Sequence, residues 1–171
     1  MAEIIKTYRQ EVPALRFIGK EYGDSNRVDG MYSHLWEEWF GAGRFEPLEK
    51  AAGVIPGYDD SDAYIGLMRW KEGEPFEYWI GMFAPEGASV PDGYESCDFP
   101  KSALGVCWVK GKEPDVYMKE DECMARFKVE EYAPWLDAQG AMWFMERYGC
   151  PRFTDADENG DIILDICQYI K

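Results

Sequence analysis

The spacing of hydrophobic and polar residues changes along the chain, and each spacing predicts a different element. The run Leu15–Gly19, directly after Pro13, predicts a first strand. The next apolar residues recur at intervals of three and four and predict a helix: Tyr32, Leu35, Trp36, Trp39 and Phe40. A short second helix begins near Pro47, and strands over 63–70 and 76–84 follow it. The first half of the chain is therefore predicted to contain a strand, helices and two further strands.

A similar order returns in the second half, after the turn-rich segment 87–93. Its predicted elements are two strands, a helical region and two strands, in the order 94–99, 103–110, 114–127, 142–148 and 162–170. The pattern predicts an α+β fold in which a β-α-β-β unit is duplicated with pseudo-symmetry. We expect one domain over 1–171, with halves of about 1–90 and 91–171. An antiparallel sheet with helices on one side would leave a ligand cleft between the halves.

The penultimate strand places one carboxylate among bulky apolar side chains. Period-two alternation puts Met142, Phe144, Glu146 and Tyr148 on one face and Trp143, Met145 and Arg147 on the other. An ionised Glu on an apolar surface is costly unless a cation pairs with it. That cation is either Arg147, or a lysine at an edge, or it belongs to a ligand. In the last strand, Asp165 has two open interpretations: it lines the pocket, or it is solvated.

Several aromatic residues of one helix and two strands are candidates for a cavity wall: Trp36, Trp39, Tyr78, Trp79, Trp143, Phe144 and Tyr148. Any one of them taken alone is more typical of a core. Their number indicates that some line a cavity, because tryptophan is rarely buried completely. Glu146 among such rings suits a flat guest that is cationic or hydrophobic.

The charge of the chain narrows the choice of partners. The formal net charge is −15, from 33 acidic and 18 basic residues. This charge disfavours nucleic acid, and it favours cationic or neutral partners or simply keeps the protein soluble. Apolar runs are too short to cross a bilayer, and the first residues lack the layout of a secretion signal. Five cysteines without a C-x-x-C pair indicate reduced thiols, so we expect a cytoplasmic protein without membrane attachment.

The residues that nucleophilic catalysis, phosphate binding and calcium binding usually require are missing or incomplete in this sequence. His34 is the only histidine, and the chain has neither a nucleophile elbow nor a glycine-rich phosphate loop before a helix. The acidic segment 155–161 imitates the start of a calcium-binding EF-hand loop, but Ile166 stands where the bidentate Glu belongs. Asn159-Gly160 already explains the segment as a hairpin turn. The sequence therefore predicts no tight metal site and no cofactor.

The order of elements and four short runs resemble the GyrI-like small-molecule-binding domain in its stand-alone form. The runs are Ile80-Gly81, Phe144–Tyr148, Ile163–Ile166 and Glu146–Thr154, and the resemblance covers nearly the whole chain. The same domain is the effector-binding domain of AraC-type and MerR-type multidrug regulators. The resemblance implies a pocket-facing Glu on the penultimate strand that meets cationic ligands, and Glu146 matches it. The candidate ligand-binding residues are Glu146, Tyr148, Trp36, Trp39, Tyr78, Trp79, Phe144 and Asp165.

Two alternatives accompany this binding function. Some stand-alone members are similar to hydrolases that open strained cyclopropane rings of DNA-alkylating natural products, which implies Glu146 and Tyr148 as catalytic residues. The chain departs from the regulators at its end, where Gln168-Tyr169-Ile170 replaces their common Ile-Pro-Ile. A third hypothesis is a gyrase-inhibitor-like or antitoxin-like protein that contacts an unknown protein partner by mimicking nucleic acid. The acidic residues of this chain are, however, spread along the sequence rather than clustered.

Overall fold

A computed structural model describes residues 1–171, and its framework is one antiparallel sheet of eight strands. The strands are β1 (Glu3–Val12), β2 (Leu15–Tyr22), β3 (Tyr64–Trp70), β4 (Glu77–Pro85), β5 (Glu95–Phe99), β6 (Ser102–Gly111), β7 (Met142–Tyr148) and β8 (Ile162–Ile170). They lie in the order β1-β6-β8-β7-β3-β4-β2-β5. The predicted α+β class with an antiparallel sheet is confirmed.

Three α-helices pack on one face of the sheet. They are α1 (Ser33–Gly41), α2 (Glu46–Ala52) and α3 (Glu120–Val129), and short 3-10 turns occupy Asp24–Asn26 and Asp115–Lys119. Helices α1 and α2 share a core cluster with Phe144 of β7, whereas α3 shares one with Tyr148 of the same strand. Because residues four apart in a strand point the same way, all three helices cover one face. The helices sit over different halves of the sheet and leave a gap between them.

The other face of the sheet carries a core without any helical residue. All eight strands contribute to this cluster, together with the loop between α2 and β3. Val12 of β1 and Phe99 of β5 belong to it, although β1 and β5 are the two edge strands. Phe99 also stacks on Tyr169 of β8, with ring centroids 4.6 Å apart. The sheet is therefore strongly curved, so that its two ends approach each other on this face.

The strand order has an internal symmetry. Exchanging β1 with β5, β2 with β6, β3 with β7 and β4 with β8 gives the same order read from the opposite edge of the sheet, with the exchange axis between β3 and β7. A duplicated unit produces this arrangement, and the boundary near residue 90 stays a prediction. The sequence pattern missed β1, an edge strand whose polar side chains hide its alternation. Each half therefore has one strand pair before its helices and another after them.

The acidic segment 155–161 forms the loop that precedes β8. One oxygen of Asp157, Oδ1, accepts the backbone N–H groups of Asn159 and Asp161 at 2.8 and 3.0 Å. Its other oxygen, Oδ2, lies 3.0 Å from Nζ of Lys110. The carboxylate thus stabilises the turn and pairs with β6, while the absence of tight calcium binding stays a prediction.

As for membranes, none of the helices has the length and apolarity needed for a bilayer span.

Candidate functional site

A cavity of about 1070 Å³ lies between the helices of the two halves. Its floor consists of β3, β4 and β7, through Tyr64, Met68, Tyr78, Met82, Glu146 and Tyr148. Its walls come from the α1 region and from the 3-10 turn before α3, through Tyr32, Trp36, Phe40, Pro114, Tyr117 and Met118. The cavity therefore lies over β3 and β7, where the two halves of the sheet meet.

Glu146 is the only acidic residue on the floor of this cavity. Its Oε2 accepts a hydrogen bond from the hydroxyl of Tyr148 at 2.5 Å, and no lysine or arginine pairs with it. Burial raises the pKa of Glu146, and the hydrogen bond from Tyr148 only partly opposes that rise. The neighbouring Arg147 lies on the opposite face, so it does not neutralise Glu146. The cavity thus contains a half-buried carboxyl group without a protein counter-ion.

A glycine makes room beside this carboxyl group. Gly66 of β3 is the register partner of Glu146. A Cβ atom at position 66 would lie 2.7 Å from the hydroxyl oxygen of Tyr78 and 3.4 Å from the ring of Trp36. Trp36 Nε1 donates a hydrogen bond of 2.9 Å to that hydroxyl. The missing side chain at Gly66 therefore allows Trp36 and Tyr78 to meet next to Glu146.

The aromatic walls hold one another in fixed orientations. Tyr32 stacks on Tyr78, with centroids 4.0 Å apart and planes 6° from parallel. Trp36 meets Tyr148 edge-on at 5.0 Å, and Tyr148 meets Phe153 at 4.7 Å. Such pairs contribute about 0.5–1.5 kcal/mol each beyond their buried area. The cavity is therefore built largely before any guest arrives.

The charge around the cavity is negative. Its lining contains four acidic residues and one basic residue: Glu49, Asp62, Glu113, Glu146 and Arg27. Glu120 lies close by, and burial together with the negative charge of Glu146 raises the pKa of Glu120 to about 7. No group of three or more His, Cys, Asp or Glu side chains is arranged to hold a metal ion. The electrostatic field of the cavity favours a cationic guest.

The structure brings four of the eight predicted ligand-binding residues to the cavity: Trp36, Tyr78, Glu146 and Tyr148. Trp39 is fully buried beneath α1, where its Nε1 donates to the hydroxyl of Tyr22 at 2.9 Å. Trp79 lies in the core of the opposite face, and Phe144 packs in the core below α1 and α2. These three aromatic residues belong to the core, and none of them lines the cavity.

Asp165 does not belong to this site, so that prediction is corrected. It is completely buried on the face opposite to Glu146. One oxygen, Oδ2, accepts a 2.8 Å hydrogen bond from Arg147 Nε, and the other accepts one of 2.7 Å from Arg152. Arg152 also reaches Asp60 at 2.7 Å. Asp165 is therefore neither a pocket residue nor a solvated one, because two arginines neutralise it inside the protein.

Sequence reasoning missed several residues that complete the cavity: Tyr32, Glu49, Tyr64, Glu113, Tyr117 and Met118. Tyr64 is the register partner of Tyr148, and only the pairing of β3 with β7 reveals that neighbourhood. The rim residues Glu113, Tyr117 and Met118 lie in a segment without clear periodicity. The one available signal was the apolar run Val116-Tyr117-Met118 in a charged segment. The structure leaves Met118 of that run 72% exposed.

No family model matches the chain, and no curated protein matches it. Solved structures do resemble it. A candidate bacterial transcription regulation protein from Staphylococcus aureus MU50 has a TM-score of 0.64 at 14% sequence identity, covering 98% of this chain and 99% of that chain. SAV2435, solved bound to tetraphenylphosphonium, has a TM-score of 0.68 at 16% identity, covering 98% and 94%. A Vibrio cholerae integron cassette protein has a TM-score of 0.57 at 9% identity, covering 99% of each chain.

At these identities the similarity concerns the fold alone. The shared architecture extends over almost the whole length of each chain. One of these proteins was solved with a cationic ligand. The chain therefore shares its α+β fold with these proteins.

Proposed function

We propose that this protein binds hydrophobic, planar or cationic small molecules in the cavity, with Glu146 as their counter-ion. The observation that supports this proposal most strongly is the environment of Glu146. Its carboxyl group is half-buried, faces the cavity and has a tyrosine hydroxyl as its hydrogen-bond partner. A carboxylate in such surroundings gains more from an incoming cation than an exposed one, because little water screens the attraction.

The rim of the cavity supports the same proposal. Three of its residues expose large apolar side chains, namely Met31, Phe40 and Met118, with exposed fractions of 52%, 59% and 72%. Exposed apolar side chains clustered at one opening are typical of a binding surface. A hydrophobic cation would contact these side chains first and then place its charge near Glu146. The tetraphenylphosphonium bound to SAV2435 is a cation of this kind.

Equilibrium titration with tetraphenylphosphonium, followed by calorimetry, tests the proposal. We expect saturable binding with one ligand per chain. Triphenylphosphine oxide is a suitable control, because it carries similar rings without a net charge. The cation should bind more tightly than this neutral compound by roughly tenfold or more, as expected for a poorly solvated charge pair. Equal affinities would contradict the role of Glu146 as a counter-ion.

The affinity for tetraphenylphosphonium is expected to depend on pH. Because the pKa of Glu146 is raised, protonation removes its charge at a higher pH than for an exposed glutamate. Affinity should therefore rise with pH through this raised pKa and level off above it. Glu120, with its pKa raised to about 7, titrates near the same site. Titrations from about pH 5 to about pH 8 measure the profile.

Two variants identify the carboxyl group that causes this pH dependence of the affinity for tetraphenylphosphonium. Glu146→Gln should flatten most of it, whereas Glu120→Gln should remove only a smaller contribution. The phenols of Tyr78, Tyr117 and Tyr148 are also near Glu146, but their pKa values are raised and they stay neutral throughout this range. An unchanged profile in Glu146→Gln would show that another group controls binding.

A second candidate function is hydrolysis of a strained electrophile such as a cyclopropane. The raised pKa of Glu146 favours it, because a partly desolvated carboxylate is a stronger general base, and the hydrogen bond holds the Tyr148 hydroxyl beside that carboxyl group. Glu146 would accept a proton from water while the water oxygen bonds to a ring carbon. The ring C–C bond would break toward a conjugated acceptor, which is then protonated. Tyr148 would orient the substrate or supply that proton.

Mass spectrometry separates turnover from binding. The protein is incubated with a cyclopropane-containing electrophile, and a product heavier by one water is sought. Hydrolysis predicts a protein-dependent product that falls by about 100-fold or more in Glu146→Gln, a typical contribution of a general base. Tyr148→Phe should also slow the reaction. Saturable binding of the electrophile without any product would exclude this hydrolysis, and binding would remain as the proposed function.

A further inference from the structure

We infer that the cavity contains a second cation-binding position near α2, formed by Glu49, Tyr64 and Phe40, and that it therefore favours hydrophobic dications over monocations. This inference rests on the proposed binding function and specifies its ligand class. One charged group of the guest would lie against Glu146 and the other against Glu49.

The first support is a repeated hydrogen-bonded pair. The hydroxyl of Tyr64 donates to Glu49 Oε1 at 2.5 Å, the same distance as that between Tyr148 and Glu146. No lysine or arginine forms a salt bridge with Glu49. Tyr64 and Tyr148 are register partners on neighbouring strands, which places their Cβ atoms about 4.5–5.5 Å apart on the same face. Two carboxylate–tyrosine pairs therefore lie side by side in one cavity.

The second support is the aromatic surface beside Glu49. Tyr64 stacks on Phe45, with centroids 3.8 Å apart and planes 4° from parallel. The ring of Phe40 lies 6.0 Å from that of Tyr64, and 59% of Phe40 is exposed. A carboxylate next to an exposed ring suits a cation, because the ring face attracts the charge and the carboxylate neutralises it. This position lies at the rim, whereas Glu146 lies on the floor.

The third support is the size of the cavity. Pockets for drug-sized ligands usually enclose about 300–1000 Å³, and this cavity, at about 1070 Å³, lies at the upper end. Glu49, Tyr64, Glu146 and Tyr148 all line it. One guest with two charged groups can therefore span both positions. Across the cavity Glu113 is a competing rim position, where its hydrogen bond and charge help to raise the pKa of Tyr117.

The test compares tetraphenylphosphonium with a series of alkanes that carry a triphenylphosphonium group at each end, with linkers of increasing length. Affinities are measured by calorimetry for the wild type and four variants: Glu49→Gln, Phe40→Ala, Glu113→Gln and Glu46→Gln. Glu46 is the matched control, because it is exposed on the same helix and does not line the cavity. Thermal unfolding verifies that each variant is folded.

We expect the best dication to bind about two- to fivefold more tightly than either shorter or longer members, at low salt. Glu49→Gln should weaken that dication by about two- to fivefold more than it weakens tetraphenylphosphonium, whereas Phe40→Ala, which removes a rim contact of either ligand, should weaken both and should reduce the length preference among the dications. Glu113→Gln and Glu46→Gln should leave the length preference intact. A preference that survives in the Glu49→Gln, Phe40→Ala double variant, or that disappears in Glu113→Gln instead, would overturn the inference. Failure of every phosphonium to bind would overturn the proposed function itself.

Discussion

Replacing Glu146 with glutamine is expected to weaken tetraphenylphosphonium binding by about 2–4 kcal/mol, roughly 30- to 1000-fold in Kd. Glutamine has nearly the same shape and can still accept the hydrogen bond from Tyr148, so the change removes the charge alone. The loss should be large because burial disfavours the unpaired carboxylate, as its raised pKa indicates, and no protein cation competes with the ligand. Calorimetric titration of the wild type and the variant measures it, at a pH on the upper plateau of the wild-type affinity profile, where the carboxyl group of Glu146 is ionised.

The matched control removes one negative charge elsewhere. Glu46→Gln makes the net charge of the protein less negative by the same amount, at an exposed position on α2. It should change Kd by no more than about twofold, because water and salt screen exposed charges. Equal losses in both variants would show that the overall acidity of the protein, and not a specific counter-ion, attracts the cation.

Replacing Asp165 with asparagine is expected to lower the free energy of unfolding by about 3–5 kcal/mol. Asp165 neutralises Arg147, and both side chains are completely buried. Arg152 bonds to both oxygens of the same carboxylate, and it ties Asp60 of the α2–β3 loop to β8. Asparagine keeps the shape but leaves buried guanidinium charge without its main partner. Equilibrium unfolding in urea measures the change.

An exposed ion pair provides the comparison for this stability prediction. Asp98 pairs with Arg16 at 2.7 Å, and its side chain is 63% exposed. Asp98→Asn should therefore cost less than about 1 kcal/mol. If Asp165→Asn proves as mild as Asp98→Asn, the charges of Arg147 and Arg152 must be neutralised in another way, and Asp165 would not be their main partner.

The alternation of side chains along β7 was sufficient to predict that Glu146 and Tyr148 share one face of the strand. That strand reads Met142, Phe144, Glu146 and Tyr148 on one face, and the structure puts Glu146 and Tyr148 in the cavity. The same rule should have separated Tyr78 from Trp79, because adjacent strand residues point to opposite faces. Both were predicted as ligand contacts, and only Tyr78 lines the cavity.

The error at Asp165 has a different cause. Alternation tells which residues of one strand share a face, but it does not relate the faces of two strands. The register of β7 with β8 pairs Arg147 with Asp165 and Glu146 with Ile166. Directly opposed residues share a face, so this register places the aspartate beside the arginine and away from Glu146. An opposite-charge pair on adjacent strands was the available signal.

The rim of the cavity could not be derived from periodicity. Glu49 lies on a short helix, whereas Glu113, Tyr117 and Met118 lie in and before a 3-10 turn. Their positions depend on how α2 and the 3-10 turn lie across the sheet from each other, which is a tertiary property. The curvature that brings Phe99 onto Tyr169 is likewise fixed by contacts between distant strands.

The most direct test of the central claim is a crystal structure of the protein with tetraphenylphosphonium. We expect the phosphonium centre next to the carboxylate of Glu146, with its phenyl rings against Trp36, Tyr78 and Tyr148. The sheet should remain as it is, because the walls are already held in position. A ligand bound elsewhere, such as the surface groove near Arg9, Trp135 and Lys171, or one inside the cavity without contact to Glu146, would contradict the account.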